Sequence, residues 1–431
     1  MTLCPEPESK DGLLTTLCEL GSEARTPAEF VATIGEHLGR SALKVERIFV
    51  GLQTSHPEFR ARTYIWESSS SAVRTVEWPH GLANRPGYFD SPSHQVHTTG
   101  REYRVRDLAE AAKRSCDVYA ELHASGHTDY LMLPLPFRGG PVNTLSITTR
   151  QPGGFPDGAL ASFRRCARFL TMALERLAAL ETVATILDTY LGPGISREVL
   201  RGRMRVGQGE LIDGTILFAD LHDFTQHAAR LAPGETVRLL NSYFDCLVDP
   251  IEARGGYVLK FIGDAVLAFF PAVGEGVGPD PIEAVRDIEH RLRQLNAQRG
   301  HRGEPRLRHG VCLHHGRVVF GNVGSSKRLD FTIIGEDVNV AARCLEEDRH
   351  LIVGVLLTEP FVEAVGADEA SLVAEVALRG VARPIRLYTL QASIRDVAKA
   401  SIEAGSRPAR SPGTKRRLQL VHRNTAGLES A

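Results

Sequence analysis

Two aspartates stand in matched settings, Asp220 in FADLHDFT (218–225) and Asp264 in LKFIGDAVLAFF (259–270). Each follows an apolar, β-branched or aromatic run, as a residue closing a buried strand would, and the match directs both to a common cleft. Two carboxylates about 4 Å apart repel by roughly 4 kcal/mol at an effective dielectric of about 20. Such a pair stays ionised when divalent metal sits between its members, and hard oxygen ligands suit Mg²⁺ or Mn²⁺. A third segment, DFTIIGEDVNVAAR (330–343), places Asn339 and Arg343 four apart on a predicted helix, so that both face one way. Carboxylates for metal and a guanidinium for anionic charge are the parts of a metal-assisted reaction at phosphate.

The elements that must carry these residues lie in residues 210–392. TILFADL reads as a strand, GETVRLLNSYFDCLVDPIEARGG as a helix that Pro250 kinks or ends, and YVLKFIGDAVLAFFP as a hairpin. Helix PIEAVRDIEHRLRQLNAQ and strand LRHGVCLHHG follow, then hairpin segments VVFGNVG and FTIIG, helix VNVAARCLEED, and strands around IVGVLLTE and RPIRLYTL. The order β-α-β-β-α-β is a ferredoxin-like arrangement. Upstream, residues 1–156 read as a separate α+β domain, with helical patterns LLTTLCELGSEA and PAEFVATIGEHLGRSA before five strand-like runs from VERIFVGL to VNTLSITTR. Residues 157–209 form a helical linker. In it Leu170, Ala173, Leu177, Leu180, Ala184, Leu187 and Leu191 recur three and four apart, the a/d seam of a short coiled coil, until Gly192 and Pro193 stop the helix. The tail 393–431, with SRPARSPGTKRR and little periodic apolar content, is expected to be disordered.

Composition narrows the class. The chain has 431 residues, 42% hydrophobic and 24% charged, with a formal net charge of −1, which gives no electrostatic argument for nucleic acid. No apolar run reaches the roughly 18 residues of a membrane span, and the first residues lack the basic-then-apolar pattern of a secretory signal. Seven scattered cysteines without a CxxC read as reduced thiols, so the expected location is cytoplasmic.

FADLHDFT, KFIGDAVLAFF, HHGRVVFGNVGSSKRLDFTIIGEDVNVAAR and ALRGVARPIRLYTL resemble, in order and spacing, the successive signatures of class III nucleotide cyclases, over roughly residues 205–392. The resemblance implies that Asp220 and Asp264, with the backbone carbonyl of Leu221, hold two Mg²⁺ or Mn²⁺ ions per site. It implies that Leu221 to Thr225, including Phe224, wrap the nucleotide's phosphates. Asn339 and Arg343 would hold the ribose and the charge at the α-phosphate, and Arg317 and Arg379 would contact phosphate. Family members often carry glycine where Asp223 stands, so its carboxylate must point away from the phosphates. His222, His314 and His315 lack the companion ligands of a metal cluster and read as packing or solvent-facing groups.

Lys260 and Thr332 match the positions that choose the base. A lysine can donate to adenine N1 and a threonine hydroxyl can accept from its N6 amine; guanine reverses both and leaves a buried polar group unpaired. The resemblance therefore implies conversion of ATP to 3′,5′-cyclic AMP and pyrophosphate. A guanylate or dual-specificity cyclase, or a non-catalytic nucleotide-binding module, stays open at this point. The family builds its sites across a head-to-tail pair, which implies a homodimer in which one subunit supplies Asp220, Asp264 and Arg317 and its twin supplies Lys260, Thr332, Asn339, Arg343 and Arg379. The N-terminal domain resembles a GAF-type sensor of small molecules, and threonine at 332 implies stimulation by bicarbonate.

Overall fold

The computed structural model describes residues 12–70, 72–81, 86–113, 117–202, 209–272, 280–367, 369–381 and 383–390, which divide into two units between residues 187 and 188. The first unit opens with helices α1 (Gly12–Glu23) and α2 (Pro27–Arg40). The Thr26 hydroxyl caps α2 by accepting from the Glu29 N–H at 3.1 Å, and Pro27 fills the first turn, where a missing N–H costs nothing. Strands β1 (Val45–Gln53), β2 (Phe59–Glu67), β3 (Arg74–Pro79), β4 (Tyr103–Val105), β5 (Asp129–Pro136) and β6 (Val142–Thr149) form one antiparallel sheet in the order β3-β2-β1-β6-β5-β4. Four short helices, α3 (Pro86–Phe89), α4 (Pro92–Thr99), α5 (Leu108–Ala111) and α6 (Asp117–Ala124), fall between β3 and β5.

Alternation along β5 gives this sheet two packed faces. Leu131, Leu133 and Leu135 join the cluster made with α1, α2 and the helices after β6; Tyr130 and Met132 join a smaller one with Val96, Leu108 and Leu122. The helices after β6 are α7 (Asp157–Arg165) and α8 (Ala167–Leu200). The expected single helix is thus interrupted at Cys166. At Gly192 the helical backbone stops, as expected: that residue has φ 77° and ψ 149°, and a second helical segment follows across the kink to Leu200. The expected seam is also divided. Leu170, Ala173 and Leu177 are buried in the first unit's own core, because the start of α8 is needed to cover the sheet. Leu180, Val183 and Tyr190 lie exposed. Residues 203–208 at the linker's end, and the tail 393–431, lie outside the described residues.

The second unit contains β7 (Gly209–Leu221), α9 (Phe224–Ala228), α10 (Pro233–Ala253), β8 (Tyr257–Ile262), β9 (Ala265–Pro271), α11 (Pro281–His301), β10 (His309–Ser325), β11 (Arg328–Ile334), α12 (Glu336–Leu351), β12 (Val355–Thr358), α13 (Glu359–Val365), β13 (Ala370–Val376) and β14 (Ile385–Leu390). Its sheet runs β13-β14-β12-β10-β7-β9-β8, with β11 folded back on β10. The stretch β10-β7-β9-β8 is antiparallel throughout and has the strand order of a ferredoxin-like βαββαβ unit, as the element order requires. Pro250 lies in the last turn of α10, and the helix ends three residues later. Strand β7 is apolar on both faces: Leu217, Ala219 and Leu221 pack beneath α10 and α11, and Ile216 and Phe218 pack with α12.

Among the described residues no helix is long and apolar enough to cross a membrane. Five cysteines are described, all as free thiols; Cys18 is exposed and Cys166, Cys246, Cys312 and Cys344 are buried. The fold class is α+β in both units.

Candidate active site

Asp220 is the one charged residue near the end of β7, on the side chain parity that faces α12. The antiparallel pairing of β7 with β9 sets Ala219 opposite Val266, which brings the turn before β9 beside Asp220. That turn is Gly263–Asp264, a two-residue hairpin loop between paired Ile262 and Ala265. Gly263 has φ 67°, the left-handed value that such tight loops need and that glycine takes without strain. The Asp264 carboxyl is pushed up to about 6, first by burial and then by the carboxyl of Asp220 hydrogen-bonded to it. Backbone N–H groups of Asp264 and Leu221 oppose that rise. Sequence reasoning paired these two aspartates, and the structure brings them together.

A site that holds two adjoining carboxylates half out of water is short of positive charge. Its donors are hard oxygens, so the residues present fit a divalent ion such as Mg²⁺ or Mn²⁺, which Asp220 and Asp264, with the Leu221 carbonyl, would hold. Among the described residues no group of three or more His, Cys, Asp or Glu side chains gathers as a metal cluster. The remaining ligands would have to come from water or phosphate.

Next to the pair is a cavity of about 300 Å³, lined by residues 221–226 together with Asp264, Arg308, Arg349 and Ile352. Phe224 and Thr225 are therefore at the site. Asp223 adopts φ 58°, which explains why a glycine suits this position; aspartate is among the few other residues that tolerate it. Its carboxylate accepts from Arg308 Nη2 at 2.8 Å, so its charge is matched by a guanidinium. Arg349 Nη2 donates to Asp220 Oδ2 at 2.9 Å.

Behind the cavity His222 Nε2 lies 3.0 Å from Asp348, which is wholly buried and accepts the N–H groups of Val353 and Gly354 at 3.0 Å. This pair crosses directly over Gly310, where a Cβ would stand 2.8 Å from Asp348 and 3.1 Å from His222. His314 is bonded to Thr358 at 2.8 Å and lies 3.3 Å from Asp337. Thus His222 and His314 are packing groups, each beside a carboxylate, and His314 is also hydrogen-bonded.

None of the remaining expected residues lines the cavity. Lys260 on β8 is half-buried and donates to the carboxylate of Asp330 on β11. Thr332, two residues further along β11, is buried, and its Oγ1 has no hydrogen-bond partner among the described residues. Asn339 and Arg343 share a face of α12; Asn339 Nδ2 reaches the Gly335 carbonyl at 3.4 Å. Arg343 donates to the backbone carbonyl of Arg379, which joins α12 to the turn after β13.

Arg317 stands apart from the aspartate pair. It forms a two-pronged pair with Asp213, its register partner across β7 and β10, at 2.9 and 3.1 Å. Register explains the difference: Gly310 is opposite Asp220, whereas Arg317 lies seven residues along β10. Sequence reasoning missed Arg308 and Arg349. The signal for Arg308 is its place two residues before Gly310, which has meaning only once the β7–β10 register is known.

Residues 210–355 match the family described as the adenylate and guanylate cyclase catalytic domain. An adenylate cyclase of Anabaena cylindrica is 32% identical over 197 residues, which is 44% of this chain and 39% of that protein. The chain therefore spans about two fifths of the length of this curated relative. The adenylyl cyclase CyaB from P. aeruginosa is similar in structure with a TM-score of 0.38 at 25% identity, covering 42% of this chain and 95% of that one. The guanylyl cyclase Cya2 has a TM-score of 0.37 at 29% identity, covering 42% and 93%.

Proposed function

We propose that this chain is an adenylate cyclase, on the premise that residues 210–355 constitute a class III cyclase catalytic domain. The observation that carries the reading is the Asp220–Asp264 pair at the edge of a cavity lined by the 221–226 turn and two arginines. Domains of this family use divalent metal ions. Two per site, Mg²⁺ or Mn²⁺, is the number that the paired carboxylates suggest.

When bound there, metal supplies activation of the ribose 3′-hydroxyl and neutralises charge on the departing pyrophosphate. The protein's own groups do the rest. Leu221 to Thr225 hold the phosphate tail against the strand end, and Lys260 and Thr332 hold the adenine edge. Asn339 orients the ribose so that O3′ lies in line with the bond to be broken. As the O3′–Pα bond forms and the bond from Pα to the bridging oxygen breaks, negative charge grows on the α-phosphoryl oxygens. The Arg343 guanidinium is suited to that charge, with Arg379 beside it.

In this reading Lys260, Thr332, Asn339, Arg343 and Arg379, none of which lines the cavity, complete the site of a second copy of the chain. Phe261 and Ile262 on β8 and Ile334 on β11 are 50%, 52% and 47% exposed, an apolar surface that a twin subunit would cover. In this reading residues 1–156 regulate the enzyme through a small ligand, residues 157–209 link them to the catalytic residues 210–392, and the location is cytoplasmic. Bicarbonate stimulation belongs to it through Thr332; a flat response at fixed pH would remove that element.

The test is the purified chain with Mn²⁺ or Mg²⁺ and ATP or GTP in parallel, products resolved by chromatography. Cyclic AMP as the main product is the expected result. Mainly cyclic GMP would make it a guanylate cyclase, and no cyclic product with either substrate would leave a nucleotide-binding module.

A further inference from the structure

We propose that Arg349 is a nucleotide-binding residue that competes with divalent metal for Asp220 and, when displaced, holds the phosphate tail. The proposal rests on the reading of the cavity as a triphosphate site. Arg349 is in the last turn of α12, its side chain is 64% exposed, and it lines the cavity opposite the 221–226 turn. Its guanidinium holds Asp220 Oδ2 at 2.9 Å, one of the two carboxylate oxygens that this residue can offer to a metal. A carboxylate oxygen in a charge-assisted hydrogen bond is a poorer metal ligand until that bond is given up.

The backbone under Arg349 is fixed. Asp348 is buried and ties the chain beyond the helix through Val353 and Gly354, and Ile352 closes the helix with φ 56°. Only the side chain needs to turn. The other cavity arginine, Arg308, already has Asp223 as its partner. Arg349 alone therefore trades a ligand for its charge: metal takes Asp220, and the freed guanidinium meets phosphate oxygens that a planar fork binds well. Metal and nucleotide are coupled through one side chain.

The coupling predicts effects of opposite sign, which loss of structure would not give. Full-length Arg349→Ala and Arg349→Gln are compared with the wild type. Mn²⁺ binding alone is read by electron paramagnetic resonance of the free ion, and equilibrium binding of 3′-deoxy-ATP, which cannot cyclise, is read in saturating Mn²⁺. Mn²⁺ alone should bind roughly two- to fivefold more tightly in both variants, the size of an exposed ion pair removed. The nucleotide should bind roughly tenfold more weakly, as for a lost charged hydrogen bond. Unchanged or weaker Mn²⁺ binding, or unchanged nucleotide binding, would overturn the proposal. A parallel arm with 3′-deoxy-GTP keeps the parent reading separate: a preference for guanine in the wild type would sink adenine specificity and leave Arg349 in place. Failure of the wild type to bind Mn²⁺ or either nucleotide would overturn both.

Discussion

Thr332→Val separates a structural hydroxyl from one kept for substrate. The side chain is 6% exposed, and its Oγ1 has no partner among the described residues. A buried hydroxyl left unpaired costs about 1–3 kcal/mol, and valine has nearly the same shape without that cost. The substitution should therefore leave the second unit as stable or more so, by up to about 1 kcal/mol, a rise in Tm of roughly 0–4 °C. Adenine loses its N6 acceptor at the same time, and about 1–3 kcal/mol of binding corresponds to a roughly 5- to 150-fold lower kcat/KM for ATP. Calorimetry and initial rates with ATP supply the readings. A Tm lowered by several degrees with unchanged ATP turnover would refute the reasoning, because the hydroxyl would then be serving the fold.

Three further outcomes follow from the geometry. Asp223→Gly relieves the left-handed strain at φ 58° and removes a carboxylate from the phosphate turn, freeing Arg308; KM for ATP at fixed metal should fall roughly two- to fivefold, and a rise would contradict the assignment of that turn. Asp220→Ala and Arg343→Ala chains, each nearly inactive, should recover roughly a quarter of wild-type activity when mixed, since half of random dimers are mixed and each keeps one intact site; no recovery would argue against shared sites. In the first unit His127 is 5% exposed, and burial, then Arg150 and Arg47, lower its pKa to about 4. The folded imidazole therefore stays neutral while the unfolded one, near its ordinary value of about 6.5, takes up a proton; stability is full above that value and is lost as pH falls towards 4, by on the order of 2 kcal/mol. Denaturant midpoints at pH 7 and pH 5 should differ in the wild type and converge in His127→Gln; equal midpoints in the wild type would refute this.

Periodicity and local chemistry made much of the second unit legible. The apolar run ending at Asp220 and the GD turn at 263–264 specify strand ends, and VNVAAR specifies a helix with two polar residues on one face. What pattern could not supply was register and burial. Arg317 and Arg308 are both arginines near a histidine–glycine pair, and only the pairing of Gly310 with Asp220 sends one to the cavity and the other to Asp213. Arg349 is distant in sequence from the carboxylate that it meets. In the first unit, helices such as PSHQVHTT (92–99) are too short and polar to give a helical period, and the leucines of α8 read as one seam although Leu170 and Leu177 serve the domain's own core.

Helix α12 carries Asn339 and Arg343 near its beginning and Arg349 near its end. Ten residues of helix separate the first from the last, about 15 Å at 1.5 Å per residue. In the proposed two-fold pair α12 would be a stiff strut with one foot in its own subunit's metal cleft and the other against the ribose of its neighbour's substrate. Any tilt that improved one contact would shift the other, so in that pair a signal reaching either end would be felt at both reaction centres at once.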